Sequence, residues 1–196
     1  MKYILIILGI LLLAFIGVQL FAIRAQRSIE TYPYVIKEKY ETFEVRVYKA
    51  SLFSSVKLSS GEYKKASGQG FSILAGYIFG SNEKNEKIAM TSPVAMSLED
   101  SMTVMFMVHR KYEQKTLPSP SNSAITFHKE PAKTVAVIRF GGWASDKRIN
   151  KYKKQLTKAL ENESIGYTDR FHLFGYNAPY EIFGRKNEVV VELQRG

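Results

Sequence analysis

Residues 50–78 read ASLFSSVKLSSGEYKKASGQGFSILAGYI, and residues 132–160 read AKTVAVIRFGGWASDKRINKYKKQLTKAL. Laid over one another, Ala50 falls on Ala132, Val56 on Ile138, Leu74 on Leu156 and Ile78 on Leu160. Each stretch opens with residues of strand character, residues 52–58 and 134–140, and then changes to helical spacing. In the first, Tyr63, Ala66, Gly70, Phe71, Leu74, Tyr77 and Ile78 form one stripe that runs to Gly80, placed to end the helix. In the second, Ser145 is an N-cap ahead of Ile149, Tyr152, Leu156, Ala159 and Leu160. Gly68, Gly70 and Gly76 each cost a helix about 1 kcal/mol against alanine. The first helix is therefore held by packing, or lets a neighbour approach its backbone closely.

Working outward, each stretch is preceded by a short alternating strand. Phe43, Val45 and Val47 suggest a hairpin turning at Lys49-Ala50, and residues 125–127 a second turning at Glu130-Pro131. Each helix is followed by two apolar strands, residues 88–98 around Pro93 and 102–109 in the first half, residues 171–176 and 188–193 in the second. A loop rich in Pro, Ser and Asn, residues 117–123, separates the halves. Strand, strand, helix, strand, strand, taken twice, is an antiparallel α+β domain in which each helix lays its stripe on a sheet. Asn82 and Asn85 suit left-handed turn geometry, and Pro93 belongs at an edge or a bulge, a device that Asn177-Ala178-Pro179 repeats.

The amino-terminal segment is different. Residues 3–23 carry no charge, between Lys2 and Arg24 with Arg27, and as a helix they cover about 30 Å, the thickness of a bilayer's hydrocarbon core. Residues 1–24 are read as a transmembrane anchor or an uncleaved signal segment, residues 25–34 as a linker and residues 35–196 as one domain. The flanking charges nearly balance, and the domain is expected on the extracytoplasmic side of a single-pass chain. The net charge of +10 is scattered without a dense basic arm, so nucleic acid is not the expected partner and anionic small molecules or head groups are. The absence of cysteine excludes disulfides, thiolate catalysis and covalent c-type haem attachment.

Three segments carry a signature: GSNEKNEKIAMTSPV at 80–94, FGGW at 140–143 and GYNAPYEIFGRKNEVVVEL at 175–193, with YETFEVRVY at 40–48 in support. By these the chain resembles the SOUL family of haem-binding proteins over essentially everything after the linker. The resemblance implies a distorted eight-stranded antiparallel β-barrel flanked by two helices, in pseudo-twofold halves of βαββ type, and no catalytic activity. It implies non-covalent binding of haem or another tetrapyrrole in a hydrophobic cleft. It also implies an axial histidine in the opening hairpin of some members, where this chain has Val47.

Such a ligand needs an apolar slot, cationic partners for its propionates and, in some proteins, an axial group. Phe71, Leu74 and Ile78 on the first helix, facing Met90 and Met96, fit such a slot and fit an ordinary core equally. Lys64, with Lys65, Lys84 and Lys87, is a candidate for the propionates. Tyr176 and Asn177 either touch ligand or satisfy backbone groups at the end of the sheet. His109 and His172, at the ends of apolar strands, are weak candidates for a metal, and His128 is expected to be exposed by strand alternation. An amphiphile-binding or protein-interaction module on the same barrel is the alternative function. No acid–base cluster or nucleophile motif supports an enzyme.

Overall fold

A computed structural model describes residues 2–26 and 29–194. It begins with a helix, α1 (Lys2–Gln26), followed by four strands, β1 (Glu30–Thr31), β2 (Tyr34–Lys39), β3 (Glu44–Tyr48) and β4 (Ser51–Lys57). Helix α2 (Tyr63–Ile78) precedes β5 (Thr91–Ser92), β6 (Val94–Ser97) and β7 (Thr103–Met107). After β8 (Thr126–Glu130) and β9 (Lys133–Gly141) come α3 (Asp146–Asn162), β10 (Tyr167–Gly175) and β11 (Lys186–Leu193). Helix α1 is long and apolar enough to cross a membrane, a property that a signal sequence near an amino terminus shares. Arg27, read as a flanking charge, lies outside the described residues.

Nine strands form one curled antiparallel sheet in the order β2-β3-β9-β11-β10-β6-β7-β4-β8. From β3 to β8 the order is palindromic: exchanging each strand for its counterpart in the other half, β3 for β8, β9 for β4, β11 for β7 and β10 for β6, returns the same sheet reversed. The internal repeat is therefore a pseudo-twofold axis between β10 and β6. Two expectations are corrected. The sheet has nine strands with β2 and β8 as free ends, not a closed eight-stranded barrel. The hairpins at Lys49-Ala50 and Glu130-Pro131 do not form either: β3 pairs with β9, and β4 with β7 and β8. Each outer strand is thus exchanged between halves.

The sheet is buried on both faces. Helices α2 and α3 cover one, where Leu74, Leu156, Leu160, Val104, Leu173 and Val189 are sealed from solvent. Ser145 caps α3 by accepting from the Arg148 amide. Gly70 answers the puzzle of the glycine-rich α2: a Cβ there would stand 2.8 Å from Val104 Cβ and 3.1 Å from Leu58 Cδ1, so its bareness sets how closely the helix sits on the sheet. The concave face holds a second core of Tyr32, Tyr48, Phe53, Phe174, Val135, Val137 and Val190. Tyr32 and β1, in the stretch read as linker, are part of the fold, since Tyr32 is buried against Tyr48 and Phe53, and β1 pairs with β5. Residues 27 and 28 of that stretch lie outside the described residues.

Candidate functional site: an apolar crevice beside a buried charge network

Pro93 separates β5 from β6, and β10 gives way at Gly175 to the loop 176–185. Between these breaks and the carboxyl-terminal half of α2 the sheet opens into a crevice of about 360 Å³. Phe71 and Phe79 supply the helix wall, Met90 and Val94 the strand wall, and Ala178, Pro179 and Tyr180 the loop wall. The size and apolar lining are those of a small-molecule site.

The loop wall is built rather than slack. Asn177 Nδ2 donates to Glu181 Oε2 at 2.7 Å, its Oδ1 accepts from the Lys186 amide at 2.7 Å, and Glu181 Oε1 accepts from the Ala178 amide at 3.0 Å. The Arg185 guanidinium donates to the carbonyls of Ala178 and Glu181 and lies 3.8 Å from the Trp143 ring centre. Asn177 therefore holds the loop together, and both it and Tyr176 line the crevice. On the other side, Asn82 donates to the carbonyls of Tyr77 and Glu86 and accepts from the amides of Lys84 and Glu86, tying the lysine-rich turn to the end of α2. Asn85, at φ 51°, takes the left-handed position.

Ser92, Tyr176 and Asn177 also border a neighbouring recess of about 300 Å³, whose wall includes Arg139 and Lys186. Beneath it lies a charge network on the concave face. Glu188 is 0% exposed, accepts from Tyr176 Oη at 2.6 Å and from Arg46 Nη1 at 3.1 Å, and is 3.0 Å from Lys186 Nζ in an ion pair without hydrogen-bond direction. Arg46 also pairs with Glu44 and donates to Tyr48 Oη. Burial first, then the Glu188 charge, pushes the Tyr48 hydroxyl up to about 12 and Tyr176 higher still, so both remain protonated donors. Despite the opposing pull of burial, the Glu188 charge keeps Arg46 firmly protonated.

The sequence-derived candidates divide. Phe71, Met90 and Tyr176 come together in the crevice. Leu74, Ile78 and Met96 are buried in the helix-side core, and Lys64 is exposed at the opposite end of α2, away from the lining. Lys65, Lys84 and Lys87 are exposed and absent from it as well. His109 Nε2 is 2.9 Å from Glu30, its Nδ1 accepts from the Lys111 amide, and it borders a different, more polar recess. Burial, and then Lys133, lowers His172 to about 4, a neutral imidazole on the concave face near Phe174. His128 is half-buried, not exposed, because it stacks on Phe53 and bonds to Ser55 and Glu130. No group of three or more metal-type side chains occurs among the described residues. Arg139 and Lys186 escaped sequence reading, since it takes the pairing of β11 with both β9 and β10 to bring them together beside Tyr176.

The fold is a curled antiparallel sheet with a helix on each half, opening beside α2 into an apolar crevice. The family model described as SOUL heme-binding protein matches residues 29–192, and the chain belongs to that family. It is 27% identical to heme-binding protein 1 of Sus scrofa over 174 residues, 83% of this chain and 92% of that one. It is 29% identical to heme-binding protein 2 of Mus musculus over 156 residues, 76% of each. Among solved structures, the EcmrR C-terminal domain aligns with a TM-score of 0.62 at 11% identity, covering 79% of this chain and 98% of that one. A hydrolase from Listeria innocua aligns at 0.52 and 9% identity, over 81% and 94%. These last two likenesses concern the fold alone.

Proposed function

We propose that this protein binds haem or a related tetrapyrrole, non-covalently and without catalysis, in the crevice between α2 and the loop 176–185, and that α1 tethers it to a membrane. The observation that carries the reading is the pairing of an apolar crevice with a basic recess across Tyr176. A flat macrocycle needs the first and its carboxylates the second. Phe71 and Met90 would hold the ring; Arg139 and Lys186 would meet carboxylates. Bound haem would supply iron chemistry, while this chain's residues supply enclosure and charge. Storage, transport or buffering fits such a site, with the domain on the extracytoplasmic side. Family membership supports the ligand class.

A second reading, an apolar amphiphile without iron, is favoured by a crevice lining that contains no histidine among the described residues. Titration of the full chain with haem, followed at the Soret band, separates the two, with metal-free protoporphyrin as competitor. Saturable binding is expected, with Phe71→Asp abolishing it and Arg139→Glu weakening it about tenfold, the worth of one charge-assisted hydrogen bond. No saturable shift in the unmutated chain would overturn the assignment.

A further inference from the structure

Helix α1 does not project freely from the domain. Gln19, the strongly polar residue of its apolar run, is only 8% exposed, because its carboxamide is clamped at both ends by one loop. Its Nε2 donates to the Tyr180 carbonyl at 3.2 Å, and its Oε1 accepts from the Ile182 amide at 3.2 Å. One turn earlier, Phe15 meets Phe183 edge to face, ring centres 6.4 Å apart. The loop 176–185 therefore lies alongside α1 at the level of residues 15–19, not beyond its charged end at Arg24. At about 1.5 Å per residue, Gln19 is roughly 8 Å and Phe15 roughly 13 Å before Arg24 along the axis.

The same loop leaves large apolar side chains bare: Tyr180 is 59% and Phe183 61% exposed, with Phe79 and Trp143 beside them. Trp143 is stacked by Arg185, whose other contacts are to this loop. Tyrosine, tryptophan and arginine on and around one loop, with exposed phenylalanine in it, are the side chains that the boundary between head groups and acyl chains favours. A monotopic element buries its apolar side chains about 5–10 Å into that boundary, a depth comparable to the position of this loop along α1.

From this geometry we infer that the loop 176–185, with Phe79 and Trp143, is seated in the boundary layer of the bilayer that α1 crosses, so that the crevice mouth opens on lipid. The occupant of this surface is phospholipid, and continuity with α1 through Gln19 fixes its level. The crevice is lined by Phe79, Tyr180 and Ile29, and its ligand then enters from the membrane rather than from water. The inference rests on the reading of α1 as a bilayer-crossing anchor.

The chain has no cysteine, so single introduced thiols report unambiguously. Leu12→Cys in α1, Phe183→Cys in the loop and Ala132→Cys are labelled with an environment-sensitive fluorophore. Ala132 stands beside the far end of β9 from Gly141, about 30 Å away at strand rise, and serves as the distant control. The full chain is reconstituted in phosphatidylcholine–phosphatidylglycerol vesicles with brominated acyl chains. Quenching and a blue shift at Leu12→Cys and Phe183→Cys, but not at Ala132→Cys, are expected. Trp143, the sole tryptophan, gives a second reading in the unmutated chain, and bromolipid quenching is expected there too. Lipid at Leu12→Cys with water at Phe183→Cys and Trp143 would overturn the docking and leave the anchor standing. Water at Leu12→Cys would overturn the anchor and the docking together.

Discussion

Two glycines two residues apart on α2, and so on nearly opposite faces of the helix, should respond to alanine with opposite signs. At Gly68 nothing lies within 4 Å of an added Cβ, so Gly68→Ala only removes a helix penalty and stabilises by up to about 1 kcal/mol. At Gly70 the same methyl meets Val104 at separations that real Cβ atoms essentially never show, and Leu58 at a tight 3.1 Å. Overpacking of a tight core costs about 1–3 kcal/mol, a clash this close to Val104 belongs to the upper part of that range at about 2–3, and the helix gain offsets about 1, leaving Gly70→Ala destabilised by about 1–2 kcal/mol. For a domain of this size that is a fall of about 2–8 °C in Tm. Urea and thermal unfolding of the full chain in detergent would measure both. Val104→Ala in the Gly70→Ala background makes room for the methyl, so the double variant should lose less than the sum of the singles by about 1 kcal/mol or more. Equal, small effects at the two glycines, or strict additivity with Val104→Ala, would mean that α2 does not sit on β7 in this register. The crevice wall formed by Phe71 would then be misplaced.

Glu188→Gln removes the buried charge shared by Arg46, which keeps only Glu44, and half-buried Lys186, and should cost about 3 kcal/mol in urea unfolding, whereas Arg170→Ala, at an exposed pair with Glu192, should cost about 1 or less. His172 is lowered from its ordinary value near 6.5 to about 4, so the unfolded chain takes up this proton first. Stability should therefore decline as pH falls from 6.5 to 4 and become flat below, for this group. The full shift corresponds to roughly 3 kcal/mol, and partial exposure reduces this to about 2; His172→Gln should remove that decline from a pH series of unfolding curves. Glu130 has linkage of the same sign in a more acidic window. The His128 hydrogen bond, with Lys133, holds it down at about 2, so its contribution is present above about 4.5 and lost as pH falls toward 2, and Glu130→Gln should erase that acid-limb loss.

The duplication, both helices and their caps were legible because hydrophobic period and Ser145 are local signals. The pairing was not. Alternation in β3 and β4 tells which side chains share a face, not which strand lies alongside, and a two-residue connection ordinarily makes a hairpin. Here the curl of the sheet lets each half take its outer strand from the other, and that choice rests on contacts distant in sequence. Charged side chains on strands ordinarily face solvent, and nothing local in the sequence marks Arg46 and Glu188 as the ones that the concave face buries. In the crevice, Met90 and Tyr176 lie in the family's signature segments and Phe71 on the apolar stripe of α2, while Leu74 and Ile78, on that same stripe, turned to the core. Lys64 looked apt because charge alone cannot report which end of a helix the opening adjoins.

The crevice assignment comes to its sharpest test in the methionine methyl groups. Five methionines fall among the described residues and give separate signals: Met90 lines the crevice, Met96 and Met102 lie in the helix-side core, and Met105 and Met107 belong to the concave face. Adding protoporphyrin to the ¹³C-methyl-labelled full chain should shift the Met90 signal upfield by ring current, saturably, and leave Met102 unmoved. A saturable shift at Met105 or Met107 with Met90 unchanged would place the ring on the other face of the sheet and contradict the site.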